Sequence, residues 1–203
     1  MGRTFSELDD ELTGFLAEQH LFFVASAPSG DGGHVNVSPK GYDTFRVLDP
    51  RTVAYLDLTG SGVETIAHLR DNGRITLMFC AFAGPPRILR LQGRGEPVFP
   101  GDPRFDALAS LFPPLPGVRS VIRVALERIA TSCGYAVPLM AYEGERDTLS
   151  KWAERKGPEG LSRYRLEKNT RSIDGLPGLP PPPGDAGGPA PGAPSGTGGV
   201  HGS

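Results

Sequence analysis

Residues 53–82, VAYLDLTGSGVETIAHLRDNGRITLMFCAF, restrict the fold more than any other part of the chain. A β-rich run at 53–58 holds a tyrosine and branched residues and no breaker. A glycine turn follows, Thr59-Gly60-Ser61-Gly62, and then a helix-spaced segment in which Val63, Ile66 and Ala67 share a face with Leu69 at its edge. Asn72-Gly73 supplies a C-terminal stop. A second β-run at 74–82 alternates Ile75, Leu77, Phe79 and Ala81 against Thr76, Met78, Cys80 and Phe82. The crossover from Gly62 to Gly73 is the one connection in the chain with the length of a full helix. Chains built from alternating strands and helices need many such crossovers, so an antiparallel barrel fits better than a parallel sheet.

The other strands are short and closely spaced. Residues 21–27 read as a buried strand, 28–33 as a hairpin-type loop, and 34–40 as its partner, with Val35 and Val37 facing one way and Asn36 and Ser38 the other. Pro39 marks an edge, which leaves Lys40 and Gly41 near a strand end. A short strand at 45–48 leads through Asp49-Pro50-Arg51 into the central unit. After Gly84-Pro85-Pro86, residues 87–98 alternate Leu89 and Leu91 with Ile88, Arg90, Gln92 and Arg94, giving one solvated or ligand-facing side. Residues 121–131 suit helix or strand by period; β-branched residues in the first half favour a strand. Helices are expected at 6–19, with Leu8, Leu12, Phe15 and Leu16 on one face and a Ser6/Asp9 capping box, and at 103–112, 147–156 and 159–167. The sum is a mainly β (α+β) domain of six or seven antiparallel strands with flanking helices.

From residue 177 onward Pro, Gly, Ala and Ser dominate. That composition buries too little apolar surface to offset ordering entropy, so 177–203 is expected to be a disordered tail and 1–176 a single domain. A net charge of −2 gives no electrostatic support for a nucleic-acid or membrane role. No apolar run is long enough to span a bilayer, and the N-terminal stretch lacks a signal-peptide pattern. Cys80 and Cys133 read as reduced core thiols, which suits a cytoplasmic location. The four histidines show no metal-ligand spacing with them.

The chemistry lies in the turn at 59–62. A strand feeding a glycine-hydroxyl turn that opens a helix leaves unpaired N–H groups aimed at one point, where the helix dipole adds positive charge. A phosphate is the natural guest. The competing reading has Ser61 merely capping the helix and the glycines serving the turn. It is not a Walker loop, because no Gly-Lys-Ser/Thr follows.

Four pieces of the sequence, taken in order, resemble the pyridoxamine 5'-phosphate oxidase-like, FMN-binding split-barrel superfamily, and within it the bacterial branch of pyridoxamine 5'-phosphate oxidase family proteins. They are Asn36-Val37-Ser38-Pro39-Lys40-Gly41; residues 55–65, YLDLTGSGVET, with their helix; the pair RITLMF at 74–79 and PRILRLQG at 86–93; and KNTRSIDGLPG at 168–178. The resemblance spans residues 8–178. It implies a split β-barrel and a homodimer with FMN at the subunit interface. It places Val37, Ser38 and Lys40 beside the flavin ring or ribityl chain, where a lysine would favour negative charge on the reduced ring. Without the family, Lys40 reads as a solvated strand-end lysine. By the same resemblance Thr59, Gly60, Ser61, Gly62, Glu64 and Thr65 would bind the phosphate and ribityl hydroxyls. Glu64 would accept from a hydroxyl, pair with Arg90 or face solvent. Arg87 and Arg90 stand where the oxidase carries an Arg-Gln-Val-Arg run; here Ile88 replaces the glutamine. The oxidase's Ser-Arg-Lys run is reduced to Ser61-Gly62-Val63, so two cations are missing.

These departures count against pyridoxamine 5'-phosphate oxidation itself. The resemblance then implies an FMN-dependent oxidoreductase on an unknown small organic substrate, with no side chain assigned as a catalytic acid or base. The alternatives are a reductase using the deazaflavin F420, for which Arg87, Arg90 and Arg94 would form a broad basic groove, and a non-catalytic flavin or haem carrier. Trp152 reads as a core residue and Arg171 as a surface one.

Overall fold

The computed structural model describes residues 2–180. A two-residue strand, β1 (Thr4–Phe5), precedes helix α1 (Asp10–Ala17). The Asp9 side chain accepts from Leu12 N at 2.8 Å and is the cap, so the capping box expected at Ser6 is displaced by three residues. Ser6 is instead in a bend after β1, whose residues pair with Ala130 and Ile129, and Leu8 N donates to Pro50 O. Strands β2 (Phe22–Ser26), β3 (Asn36–Lys40), β4 (Phe45–Asp49) and β5 (Thr52–Leu58) follow, then helix α2 (Glu64–Asp71) and β6 (Arg74–Cys80). Asn72 and Gly73, with φ +72° at the glycine, end α2 as their side-chain chemistry requires.

The last elements are β7 (Ile88–Val98), α3 (Phe105–Ala109), β8 (Val118–Ser132) and α4 (Thr148–Lys168). The ambiguous stretch near 121 is a strand, and a longer one than its period showed. Helix α3 is shorter than 103–112, because Asp102 turns the chain by accepting from Arg104 N at 2.9 Å. The two helices expected near the C-terminus run as one element broken at Gly157 (φ 63°, ψ 175°) just before Pro158.

All pairings are antiparallel, and the strands run in the order β3-β2-β6-β7-β8-β5-β4, with β1 on the free flank of β8. The sheet thus has seven strands on its path plus the short β1, and β3 and β4 end it without pairing to each other. β8 is the spine: β7 runs along one side while its other side carries β5 and then β1. The register slips at Gln92/Gly93, where a Cβ on Gly93 would stand 2.0 Å from Ala125 O. Only glycine allows that approach.

The core gathers Phe22, Val24, Tyr55, Leu77, Phe79, Leu89, Leu91 and Ile129, closed by Leu12, Phe15 and Leu16 of α1 and by Ile66 and Leu69 of α2. Phe22, Phe45, Tyr55 and Phe79 form an aromatic cluster with centroids 4.9–5.7 Å apart. Two sequence expectations fail at its margins. Cys80 is buried, but Cys133 is exposed, since it falls just past the end of β8. Residues 177–180 belong to the body: Gly178 N donates to Thr170 O and Leu179 N to Asn169 O, and Leu179 packs on the core. The remaining tail expectation, 181–203, lies outside the described residues.

Candidate functional site

Directly opposed residues of an antiparallel pair share a face. Lys40 opposes Phe22, Ser38 opposes Val24 and Asn36 opposes Ser26, so the polar residues of the end strand β3 look to the core side of the sheet. Val37 opposes Ala25 on the outer face and is 60% exposed. On the inner side Asn36 Nδ2 donates to Thr65 Oγ1 at 3.1 Å, tying β3 to the first turn of α2. Ser38 Oγ donates to Asn36 Oδ1 at 3.3 Å, and Lys40 Nζ lies 3.3 Å from Asp57 Oδ1.

The loop at 59–62 is held from behind by its carbonyls. Gly60 O accepts from Asn169 Nδ2 at 3.0 Å and Gly62 O from Arg119 Nη1 at 2.8 Å. Thr59 N and Oγ1 both donate to Gly117 O, and Arg165 Nε donates to Thr59 Oγ1 at 2.8 Å. With the carbonyls turned inward, the N–H groups of Gly60, Ser61, Gly62 and Val63 have no acceptor among the described residues. Helix α2 has no side-chain cap: Val63 takes the N-cap position and Ser61 is exposed. The reading of Ser61 as a plain helix cap is therefore corrected. The physical reason is spacing, since the helix starts at Glu64 and Ser61 stands two residues before its N-cap.

A buried charge cluster underlies the loop. Asp57, 1% exposed, meets Arg119 Nε at 2.6 Å, Lys40 Nζ and Ser120 Oγ. Burial alone would push the Asp57 carboxyl up, but Arg119 and Lys40 outweigh it and hold the group below the usual carboxylate range. Burial lowers the Arg165 guanidinium, and the neighbouring Arg119 charge adds to that. Glu64 is half-buried with Oε2 enclosed and unpartnered, and it does not pair with Arg90. One turn along α2, buried His68 accepts or donates at Nδ1 with Ser26 Oγ at 3.0 Å, while Nε2 has no partner. Burial lowers its pKa.

The sequence reading missed Asp57, Arg119, Arg165 and Asn169 as loop supports. Signals for two of them were present: an aspartate inside the apolar run YLDL, and the asparagine second in the KNTRSIDGLPG segment. Arg87 and Arg90, by contrast, are not brought to the loop within one chain. Arg87 pairs with Glu11 at 2.7 Å and lies over the Phe15 ring. Arg90 opposes Met78, which opposes Phe23, placing it on the face opposite Lys40; its Nη1 donates to Ser132 Oγ at 2.9 Å. Arg94 pairs with Glu127 at 3.1 Å, so two of the three arginines expected to line a broad basic groove are already ion-paired. Trp152 stacks edge-on against Tyr164 under Lys156, outside the core clusters, against the expectation of a core residue, whereas Arg171 is exposed as expected, at the rim of a cavity.

Residues 8–133 match the family model of pyridoxamine 5'-phosphate oxidase. The pyridoxamine 5'-phosphate oxidase family protein ustO of Aspergillus flavus is 43% identical over 192 residues, covering 86% of this chain and 77% of that protein. Among solved structures, HupZ from Group A Streptococcus is 23% identical with a TM-score of 0.47, covering 60% of this chain and 91% of its own. A pyridoxamine 5'-phosphate oxidase homologue from Lactobacillus delbrueckii is 22% identical with a TM-score of 0.47, covering 62% and 94%. The chain belongs to the pyridoxamine 5'-phosphate oxidase family.

Proposed function

We propose that this member of the pyridoxamine 5'-phosphate oxidase family is a flavoprotein that binds FMN and acts as an oxidoreductase on a small organic substrate. The observation that carries the reading is the run of unpaired N–H groups at 60–63, opening onto the uncapped end of α2 and flanked by the polar inner face of β3. Such a run suits a phosphate without needing the two missing cations. Behind it Lys40, Arg119 and Arg165 set three positive charges against the carboxylates of Asp57 and Glu64. The enclosed, unpartnered Glu64 Oε2 suits a ribityl hydroxyl, because a buried acceptor without a donor carries a desolvation cost that the hydroxyl removes.

Bound FMN would supply the hydride or electron transfer. Ser38 and Asn36 would fix the ribityl chain, and Lys40, anchored on Asp57, would hold positive charge at the ring's edge. Exposed Val37 on the end strand leaves the outer side open, where a second copy of the chain would complete the pocket and bring Arg87 or Arg90 to it. No helix among the described residues is long and apolar enough to cross a membrane.

The visible absorption spectrum of freshly purified protein, with the released chromophore identified by mass, tests the cofactor directly. Two flavin bands and an FMN mass are expected. Ser61→Asp places a carboxylate among the N–H groups and should expel FMN by like-charge repulsion; full flavin occupancy in that variant would refute the phosphate position.

A further inference from the structure

A cavity of about 520 Å³ opens on the other flank of the Asp57–Arg119 pair, between the end of β7, α4 and the segment at 170–180. None of the residues assigned above to flavin contact lines it. Four arginines do: Arg70 from α2, Arg119 from β8, Arg165 from α4 and Arg171 beyond it. An arginine taken fully out of water is normally paired with a carboxylate. Of these four, among the described residues only Arg119 has one, Asp57 at 2.6 Å, and that carboxylate is shared with Lys40. The other three donate to neutral oxygens: Arg70 to Gly178 O, Arg165 to Thr59 Oγ1 and the carbonyls of Gly117 and Val118, and Arg171 to Gly175 O at 2.8 Å. Each of Arg70 and Arg171 uses one terminal nitrogen in this way, which leaves the rest of its planar donor fork free for a bidentate anion. Burial and the Arg119 charge lower the Arg165 guanidinium, and the Asp57 carboxylate only partly opposes them. The opposite wall is apolar, with Phe99 and Leu179 facing the space.

We propose that this arginine-lined cavity is a binding site for an amphiphilic organic anion, a carboxylate or phosphate whose charged head sits among Arg70, Arg165 and Arg171 and whose acyl or aryl body lies against Phe99 and Leu179. The site lies behind the flavin loop and shares Arg119 and Arg165 with its supports, but Arg70 and Arg171 belong to the cavity alone, and the proposal does not depend on which cofactor the loop holds. Its composition explains the specificity: the head needs a forked donor set, and the apolar wall rejects a small fully hydrated ion such as inorganic phosphate.

Titration calorimetry of the full chain with sodium octanoate tests it, with 1-octanol as the uncharged counterpart of the same body and inorganic phosphate as the head alone. Octanoate should bind saturably at one site, with octanol and phosphate each at least about tenfold weaker. Arg171→Gln and Arg70→Gln should each weaken octanoate about tenfold, the scale of one lost charge-assisted interaction. Arg70→Lys, which keeps the charge but loses the fork, should fall between. Flavin content should stay at the wild-type level in all three, separating this site from the loop. Equal binding of octanoate and octanol, failure of octanoate to saturate, or wild-type octanoate affinity in both glutamine variants would overturn the proposal.

Discussion

Two regions of the molecule are equally hidden from water and are built on opposite principles. Around Phe79, the rings of Phe22, Phe45 and Tyr55 meet edge-on or stacked, and every contact is apolar apart from the enclosed Tyr55 hydroxyl. Around Asp57, at the end of the same β5, Lys40, Arg119 and Ser120 meet the carboxylate, and Asn169 accepts from Arg119, so that charge is satisfied by charge and hydrogen bond. The first region is stabilised by surface removed from water and tolerates imperfect geometry. The second gains little net free energy from burial, because desolvation of the ions offsets their attraction, and it is useful only for the geometry it imposes. That geometry is the orientation of loop 59–62: carbonyls toward Arg119 and Asn169, N–H groups outward. The aromatic cluster makes the barrel stable, and the charge cluster makes one loop specific.

The comparison breaks most sharply at Asp57. Asp57→Ala leaves Arg119 and Lys40 without their counter-charge and should cost about 3–5 kcal/mol in denaturant unfolding. Adding Arg119→Met should restore part of that loss, whereas flavin occupancy should stay low in both variants. Phe79→Ala should cost a similar amount, about 3–5 kcal/mol, by opening a cavity. Its flavin occupancy should remain normal at temperatures where the variant is folded. If both changes lower occupancy to the same degree, the division of roles is wrong.

Acidification probes the polar side more gently. His68 is buried with its pKa lowered, so the unfolded chain binds more protons than the folded one below the ordinary histidine value. Its contribution is complete above about pH 6.5 and is lost as pH falls toward the depressed folded value. The Asp57 carboxyl, also depressed, adds a second loss only at lower pH, below about 3.9. Urea midpoints should therefore decline between pH 7 and 5, and His68→Asn should flatten that slope. The smallest effect belongs to the surface. Glu127→Ala removes the exposed partner of Arg94 and should change stability by less than about 1 kcal/mol, with no change in flavin content.

How much of this was legible beforehand varies with the range of the interaction. The runs around Leu77 and Leu89, the glycine break at 157 and the stop at Asn72-Gly73 follow from period and turn chemistry, which act over a few residues. The loop at 59–62 was also marked, as a turn opening a helix. Its cap was not, because whether Ser61 or Val63 starts the helix depends on where α2 is packed. The ordered strap at 177–180 escaped a compositional reading, since Gly178 is chosen for contact: a Cβ there would lie 2.4 Å from Asn169 O. Arg90 was offered as one partner for Glu64 by motif order, while the pairing of β6 and β7 with β8 turns it to Ser132 on the other face of the sheet.

By itself, then, the sequence determined the antiparallel strands, the single crossover helix and the glycine turn that opens it. Each is written in local periodicity and backbone preference. The tertiary structure alone decided which groups stand behind that turn. Asp57 and Arg119 are 62 residues apart, Thr59 and Arg165 are 106 apart, and Gly60 and Asn169 are 109 apart. A buried charge or carbonyl must find a partner, and in a barrel that partner comes from whichever strand or helix the topology brings alongside, at a separation no local pattern encodes.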